Sequence, residues 1–297
     1  MQPVWDWGIL IILWLQRFSP ALDSPFKGLS GLGIEDFFML LLPLVLWCID
    51  RAIGVRLSIL FLLSTYVGAF AKVVFNQPRP FEIDSRVKAL EQPTDRGFPS
   101  LHTQNAVVVW GYLAYSFKRR WLYWLAAILI ILIPLSRLYL GVHFPTDLLG
   151  GYVIGGLLLA LAIWWMPLAE TWLTRISLGW QVVTAVLATI ALILIFPNHN
   201  PDSITAISVL GSAGVGIALE RRYVGFETDG PLAQKALRFA LGAVVALILR
   251  FGLSAAFNGL HPELTFRFIR YTVIGLWFVL GAPWMFVKLK LAGSLRR

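Results

Sequence analysis

The chain has 297 residues, of which 58% are hydrophobic and 14% charged, with 25 lysines and arginines against 16 acids and a formal net charge of +9. A mean hydropathy of +0.74 lies far outside the range of soluble globular domains and reads as a polytopic membrane protein. The basic excess does not point to nucleic acid, because lysines and arginines fall at the ends of apolar segments rather than along one soluble face. The one cysteine, Cys48, lies inside an apolar run and excludes an intrachain disulfide.

Residues 4–18 (VWDWGILIILWLQRF) are apolar but short, contain Asp6 and carry Trp5, Trp7 and Trp14. They lack the basic start and small-residue cleavage site of a signal peptide, and predict a helix lying in the membrane interface. Apolar spans follow near 35–52, 54–75, 102–117, 121–138, 147–167, 175–196, 203–219, 236–257 and 267–287, which predicts an all-α membrane bundle of about nine transmembrane helices. The expected division is an N-terminal segment 1–34, a membrane core 35–196 and a C-terminal three-helix extension 197–297.

Short loops rich in lysine and arginine stay on the cytoplasmic side. Arg51, Arg56, Lys118 to Arg120, Arg175, Arg221, Arg222 and the tail with Lys288, Lys290, Arg296 and Arg297 define that side, whereas 197–202 and 258–264 carry neither residue. Alternation then puts three polar clusters on the extracytoplasmic face: 72–80 (KVVFNQPRP), 99–102 (PSLH) and 136–147 (SRLYLGVHFPTD). Lys72, Arg79, Arg86, Lys88 and Arg96 break the charge rule there, and a rule broken at one place suggests function.

The clusters hold the groups that phosphate chemistry needs. A phosphate ester in its transition state calls for several fixed donors around one point, which Lys72, Arg79 and Arg137 supply and to which Ser100 adds a hydroxyl. Pro99 before an apolar span marks a helix start whose free N–H groups favour an anion. His143 and Asp147 are four residues apart, with Pro145 placed to open a helix and Asp147 in its first turn. An ionised Asp147 can hold one ring nitrogen of His143 and leave the other to attack phosphorus. His102 is then the natural general acid for the departing oxygen. His199 and His261 have no cationic company, and Gly150, Gly151, Gly155 and Gly156 carry the small-residue spacing of close helix packing.

In their order and spacing, K-x6-R-P, P-S-x-H and S-R-x5-H-x3-D resemble the three signature motifs of the type 2 phosphatidic acid phosphatase superfamily. The resemblance implies a six-helix core, no metal or other cofactor, and a phosphohistidine intermediate. It assigns Lys72, Arg79, Ser100, the Leu101 amide and Arg137 to phosphate, His102 to the leaving group, and His143, oriented by Asp147, to attack. Leu101 stands where the family commonly has glycine; it keeps the N–H but adds bulk beside the phosphate. The span count and non-cytoplasmic start are also similar to glucose-6-phosphatase. The expectation is a multi-pass protein of the inner or plasma membrane that hydrolyses a phosphomonoester. Membrane lipids surround it and a phosphorylated lipid is favoured as substrate, because the site lies where a headgroup can enter from the bilayer. Sugar phosphates, polyprenyl diphosphates, transfer of phosphate to an acceptor other than water, and an anion-binding transporter are the alternatives. The transporter needs cations but no nucleophile.

Overall fold

The computed structural model describes residues 2–295, so Arg296 and Arg297 of the basic tail lie outside the described residues. All regular elements among them are helices. In chain order they are α1 (Gln2–Leu15), α2 (Asp23–Gly31), α3 (Glu35–Leu44), α4 (Arg51–Phe75), α5 (Pro80–Ile83), α6 (Leu101–Phe117) and α7 (Arg120–Tyr139), then α8 (Pro145–Arg175), α9 (Leu178–Ile195), α10 (Pro201–Tyr223), α11 (Leu232–Ala256), α12 (Glu263–Leu276) and α13 (Ala282–Lys288). π-helical turns at Val45–Ile49 and Trp277–Gly281 follow α3 and α12.

Every apolar run of the sequence coincides with a helix, yet seven helices are long and apolar enough to cross a membrane, or up to eight if the bent pair Asp23–Gly31 and Asp36–Ile49 is one span. Among the described residues the count is therefore seven or eight by this measure, and the anticipated nine is not confirmed. The helix at 101–117 has 17 residues, and the run at 35–49 is bent against its predecessor by 48°. The membrane itself is written in the outward surface. α9 has a mean hydropathy of 2.2 with none of that window buried, as expected of a helix that faces lipid.

The chain forms two compact units, one of 1–38 with 67–163 and the other of 39–66 with 164–297. In the first, α1 is 14 residues long, too short to span. Ile9 and Ile12 on one face are buried together with Val87 and Phe144, while Trp7, Leu10 and Trp14 point outward. Trp5 stacks on Phe144 with ring centroids 6.1 Å apart. Just beyond α1, the Gln16 amide donates to the carbonyls of Lys88 and Tyr139, and its oxygen accepts from the Lys88 N–H. α2 packs on α7, with Phe26 stacked on Tyr139 at 4.3 Å and the Tyr139 hydroxyl donating to Asp23. Thus the N-terminal segment is fastened to the end of α7, from which the His143 loop departs.

In the second unit α10 packs between α9 and α12, around a core that includes Trp47, Phe226 and Phe286. The Trp47 indole N–H donates to the Phe278 carbonyl. The basic residues at the expected cytoplasmic ends have partners: Arg51 pairs with Glu220, and Arg56 and Arg221 with Glu170. The fully buried Arg238 donates to the carbonyls of Trp47, Thr228, Asp229 and Leu291, tying the end of the chain to this core.

Candidate active site

Each polar cluster sits where a helix starts or stops. α4 ends at Phe75, and Asn76 adopts φ 46°, a left-handed turn that asparagine tolerates at a helix end. The chain then re-enters at α5, whose cap is closed by the Arg79 N–H donating to Glu82. This turn leaves Lys72 in the last turn of α4 and Arg79 just before α5, both buried. Ser100 is the N-cap of α6, its hydroxyl accepting from the Thr103 N–H at 3.4 Å. With Gln104 N–H on the Ser100 carbonyl, the amides of Leu101 and His102 lead the helix as its first donors. Pro145 opens α8 and Asp147 is its third residue.

The helix starts are locked to one another. The Ser100 N–H donates to the Asp147 carbonyl at 3.0 Å. A side chain at Gly151 would come within 2.7 Å of the Ser100 carbonyl, and one at Gly155 within 2.8 Å of that of Gln104. Bare backbone at these two positions lets α8 lie directly on the first turn of α6. Gly150 instead meets Phe98, and Gly156 has open space around it.

Lys72, Arg79, His143 and Asp147 converge. His143 Nδ1 is 3.2 Å from Asp147 Oδ2, which also accepts from the Phe144 N–H at 2.9 Å. The other carboxylate oxygen of Asp147 accepts from the Gln77 amide at 2.9 Å. With Asp147 holding Nδ1, His143 Nε2 is the outward nitrogen, 3.4 Å from Arg79 Nη1. Burial first, then the charges of Arg79, Lys72, Arg137 and His102, hold the His143 pKa well below its ordinary value. The imidazole is therefore neutral and keeps a lone pair. His102 Nε2 is buried with no hydrogen-bond partner among the described residues.

Several members of the site are not in the motifs. Asp95 pairs with Lys72 at 2.7 Å and with Arg79 at 2.6 Å, and the Arg79 Nε–H donates to the Asp95 carbonyl. Burial pushes the Asp95 carboxyl up, but the Lys72 and Arg79 charges more than offset this and hold it below the usual carboxylate range. Glu91 pairs with Arg137, which also donates to Ser30. Carboxylates of the 84–98 connection thus lie on the cations that would receive a phosphate. Ser30 carries no sequence signal; for Glu91 and Asp95 the one available hint was their place among the cations that break the charge rule. The bulk of Leu101, expected beside the phosphate, is taken up elsewhere. A Cβ at Gly68 would lie 2.2 Å from Leu101 Cδ2, so this side chain rests on bare backbone of α4. Among the described residues no group of three His, Cys, Asp or Glu side chains could hold a metal ion.

The helices thus bring a buried His–Asp pair up to clustered cations at their ends. The PAP2 superfamily profile matches residues 53–172, and that of the PAP2 superfamily phosphatase transmembrane extension matches 204–294. The chain belongs to the PAP2 superfamily. It is 32% identical to phosphatidylglycerophosphatase B of Bacillus subtilis (strain 168) over 161 residues, 48% of this chain and 74% of that protein. It is 29% identical to lipid phosphate phosphatase delta of Arabidopsis thaliana over 228 residues, 71% of this chain. The match spans 54% of that plant protein's length. In fold it is similar to the crystal structure of a transmembrane PAP2 type phosphatidylglycerolphosphate phosphatase from Bacillus subtilis, with a TM-score of 0.50 and 24% identity, covering 56% of this chain and 88% of that one.

Proposed function

We propose that this chain is a metal-independent membrane phosphatase that hydrolyses the phosphomonoester of a lipid phosphate through a phosphohistidine on His143. The observation that carries the reading is the orientation of His143: Nδ1 held at 3.2 Å by Asp147, Nε2 turned to Arg79. In the first step the Nε2 lone pair forms a bond to phosphorus as the bond to the lipid oxygen breaks. Protonated His102 gives its proton to that oxygen, and a bound phosphate dianion favours this protonated form. In the second step His102 takes a proton from water, whose oxygen bonds to phosphorus as the P–N bond breaks. Inorganic phosphate leaves and His143 is restored. Lys72, Arg79, Arg137, Ser100 and the Leu101 amide hold the phosphoryl oxygens, after Asp95 and Glu91 have given way. The catalytic core corresponds to 35–196, with 197–297 as its extension.

A lipid substrate is supported by the relatives named for lipid phosphates and by the apolar surface around the helices that carry the site. Release of inorganic phosphate from a panel of lipid, polyprenyl and sugar phosphates in EDTA tests the reading. The expected result is release that is retained in chelator, greatest on lipid monoesters and inhibited by vanadate. Activity that is abolished by EDTA and restored by a divalent ion overturns the mechanism, and preference for a sugar phosphate overturns the substrate class. The basic loops support a site that faces the exterior of the inner or plasma membrane. In a Cys48→Ala background, His199→Cys is labelled by an impermeant reagent in intact cells and Arg119→Cys only after permeabilisation; the reverse inverts the topology.

A further inference from the structure

The second unit contains a cavity that the phosphatase chemistry does not use. It has a volume of about 450 Å³ and lies where the Phe257–Pro262 turn joins α11 to α12, lined by Ser254, Asn258, His261, Glu263, Arg267 and Arg270 among others. Its size falls within the range of small-ligand pockets. None of its lining residues belongs to the catalytic constellation.

Its lining sets two arginines, Arg267 and Arg270, against the single carboxylate of Glu263. Arg267 and Arg270 are three apart on α12 and so lie on one face, where like charges repel. They flank the Tyr271 ring, with guanidinium carbons 5.4 and 5.0 Å from its centroid. The ion pairs of this unit involve Arg51, Arg56 and Arg221; among the described residues neither Arg267 nor Arg270 is in one. Arg270 Nη1 donates to the Ser254 hydroxyl at 2.9 Å, while its Nε is buried without a partner. Arg267 Nε is held by the Pro201 carbonyl and the Thr205 hydroxyl, which fixes the direction of its guanidinium. Arg270 stands two turns into α12, about 10 Å along the helix, and an arginine inside an apolar helix of a membrane protein is by default a candidate for function. The surface below is apolar. Phe251 and Leu247 lie one and two turns deeper than Ser254 on α11, Val273 one turn deeper than Arg270 on α12, and all three are exposed.

We propose that this cavity binds a phosphate-bearing anion through Arg267 and Arg270, in the geometry of an anionic lipid whose headgroup enters the cavity while its chains follow Phe251, Leu247 and Val273. The ligand is a bound phosphodiester or phosphate and undergoes no reaction there. It is recognised by paired guanidinium groups.

The full-length protein in detergent micelles provides the test, and binding that R267Q/R270Q leaves unchanged is assigned to the catalytic centre. Binding of tritiated phosphatidylglycerol, a diester that a monoesterase does not cleave, is measured against phosphatidylcholine, and binding of radiolabelled orthophosphate is measured in a parallel arm. Saturable binding of at least one of the two is expected, weakened about tenfold in R267Q/R270Q, the loss of two charge-assisted contacts at a partly exposed site. Asn258→Glu, which adds a negative charge at an exposed loop position, guards against misfolding of the arginine variant and is expected to weaken binding likewise. Phosphatidylglycerol binding that orthophosphate does not displace identifies a lipid as the source, and orthophosphate binding lost in the same variants identifies free phosphate. No saturable binding of either by the wild type, or unchanged binding in both variants, overturns the proposal.

Discussion

Replacing Asp147 with Asn isolates the charge of the buried carboxylate from its geometry. Asp147 Oδ2 accepts from both Phe144 N–H and His143 Nδ1, and Oδ1 from the Gln77 amide. An asparagine must point its oxygen at Phe144, since its NH2 would face a backbone donor 2.9 Å away. That choice keeps a proton acceptor at His143 Nδ1, and Gln77 need only turn its amide over to accept from the asparagine NH2. The tautomer therefore survives and the negative charge is lost. At 3.2 Å a carboxylate stabilises the positive charge that develops on the ring during attack by about 5 kcal/mol at an effective dielectric constant of about 20, an upper bound. The corresponding ceiling on the rate loss is about 10⁴-fold. Single-turnover hydrolysis of p-nitrophenyl phosphate by Asp147→Asn is expected to slow roughly 10²- to 10⁴-fold, with KM little altered. Asp147→Ala should be worse, because it also strands the Phe144 N–H and Gln77 donors. A rate for Asp147→Asn within tenfold of wild type would refute the role given to this carboxylate.

His102→Ala should lose on the order of 10²–10⁴-fold on an alkyl phosphate but much less on p-nitrophenyl phosphate, whose leaving group needs no proton; equal losses on both substrates contradict its assignment as the acid. Asp95→Asn should lower KM, since a substrate phosphate no longer displaces a carboxylate from Lys72 and Arg79, and should also lower the melting temperature, because two buried cations lose their counter-charge; a raised KM tells against displacement. The folded-state pKa of His143 lies below the ordinary histidine value of about 6.5, so the acid limb of kcat/KM that it governs should fall below that pH. Between these two pKa values the unfolded chain binds the extra proton, and stability rises with pH across that window. His143→Ala should flatten that rise in melting curves recorded against pH.

Much of this was legible because it is local. Hydropathy within one segment marks each helix without reference to its neighbours, since lipid covers the outward face whatever the packing. Spacing of four residues with a proline between them was enough to put Asp147 in the first turn of α8 and within reach of His143, and Ser100 capping α6 is likewise a relation across three residues. The span count is not local in this way, because 17 residues at 101–117 and a 48° bend before 36–49 depend on where helices break. What tertiary structure alone decided are relations between residues far apart in the chain. Gln77 reaches Asp147 across 70 positions and Ser30 reaches Arg137 across 107. Neither stands in a motif, and polar residues of that kind are common at helix ends. Asp95 and Glu91 lie outside every motif, and only the fold lays them on three buried cations. Leu101, read in isolation, crowds the phosphate; Gly68, thirty-three positions earlier on α4, supplies the space that receives it. A composition or a spacing records what one segment does in lipid, whereas the partner of a buried charge or of a bulky side chain is set by which helices meet, and that depends on the whole bundle at once.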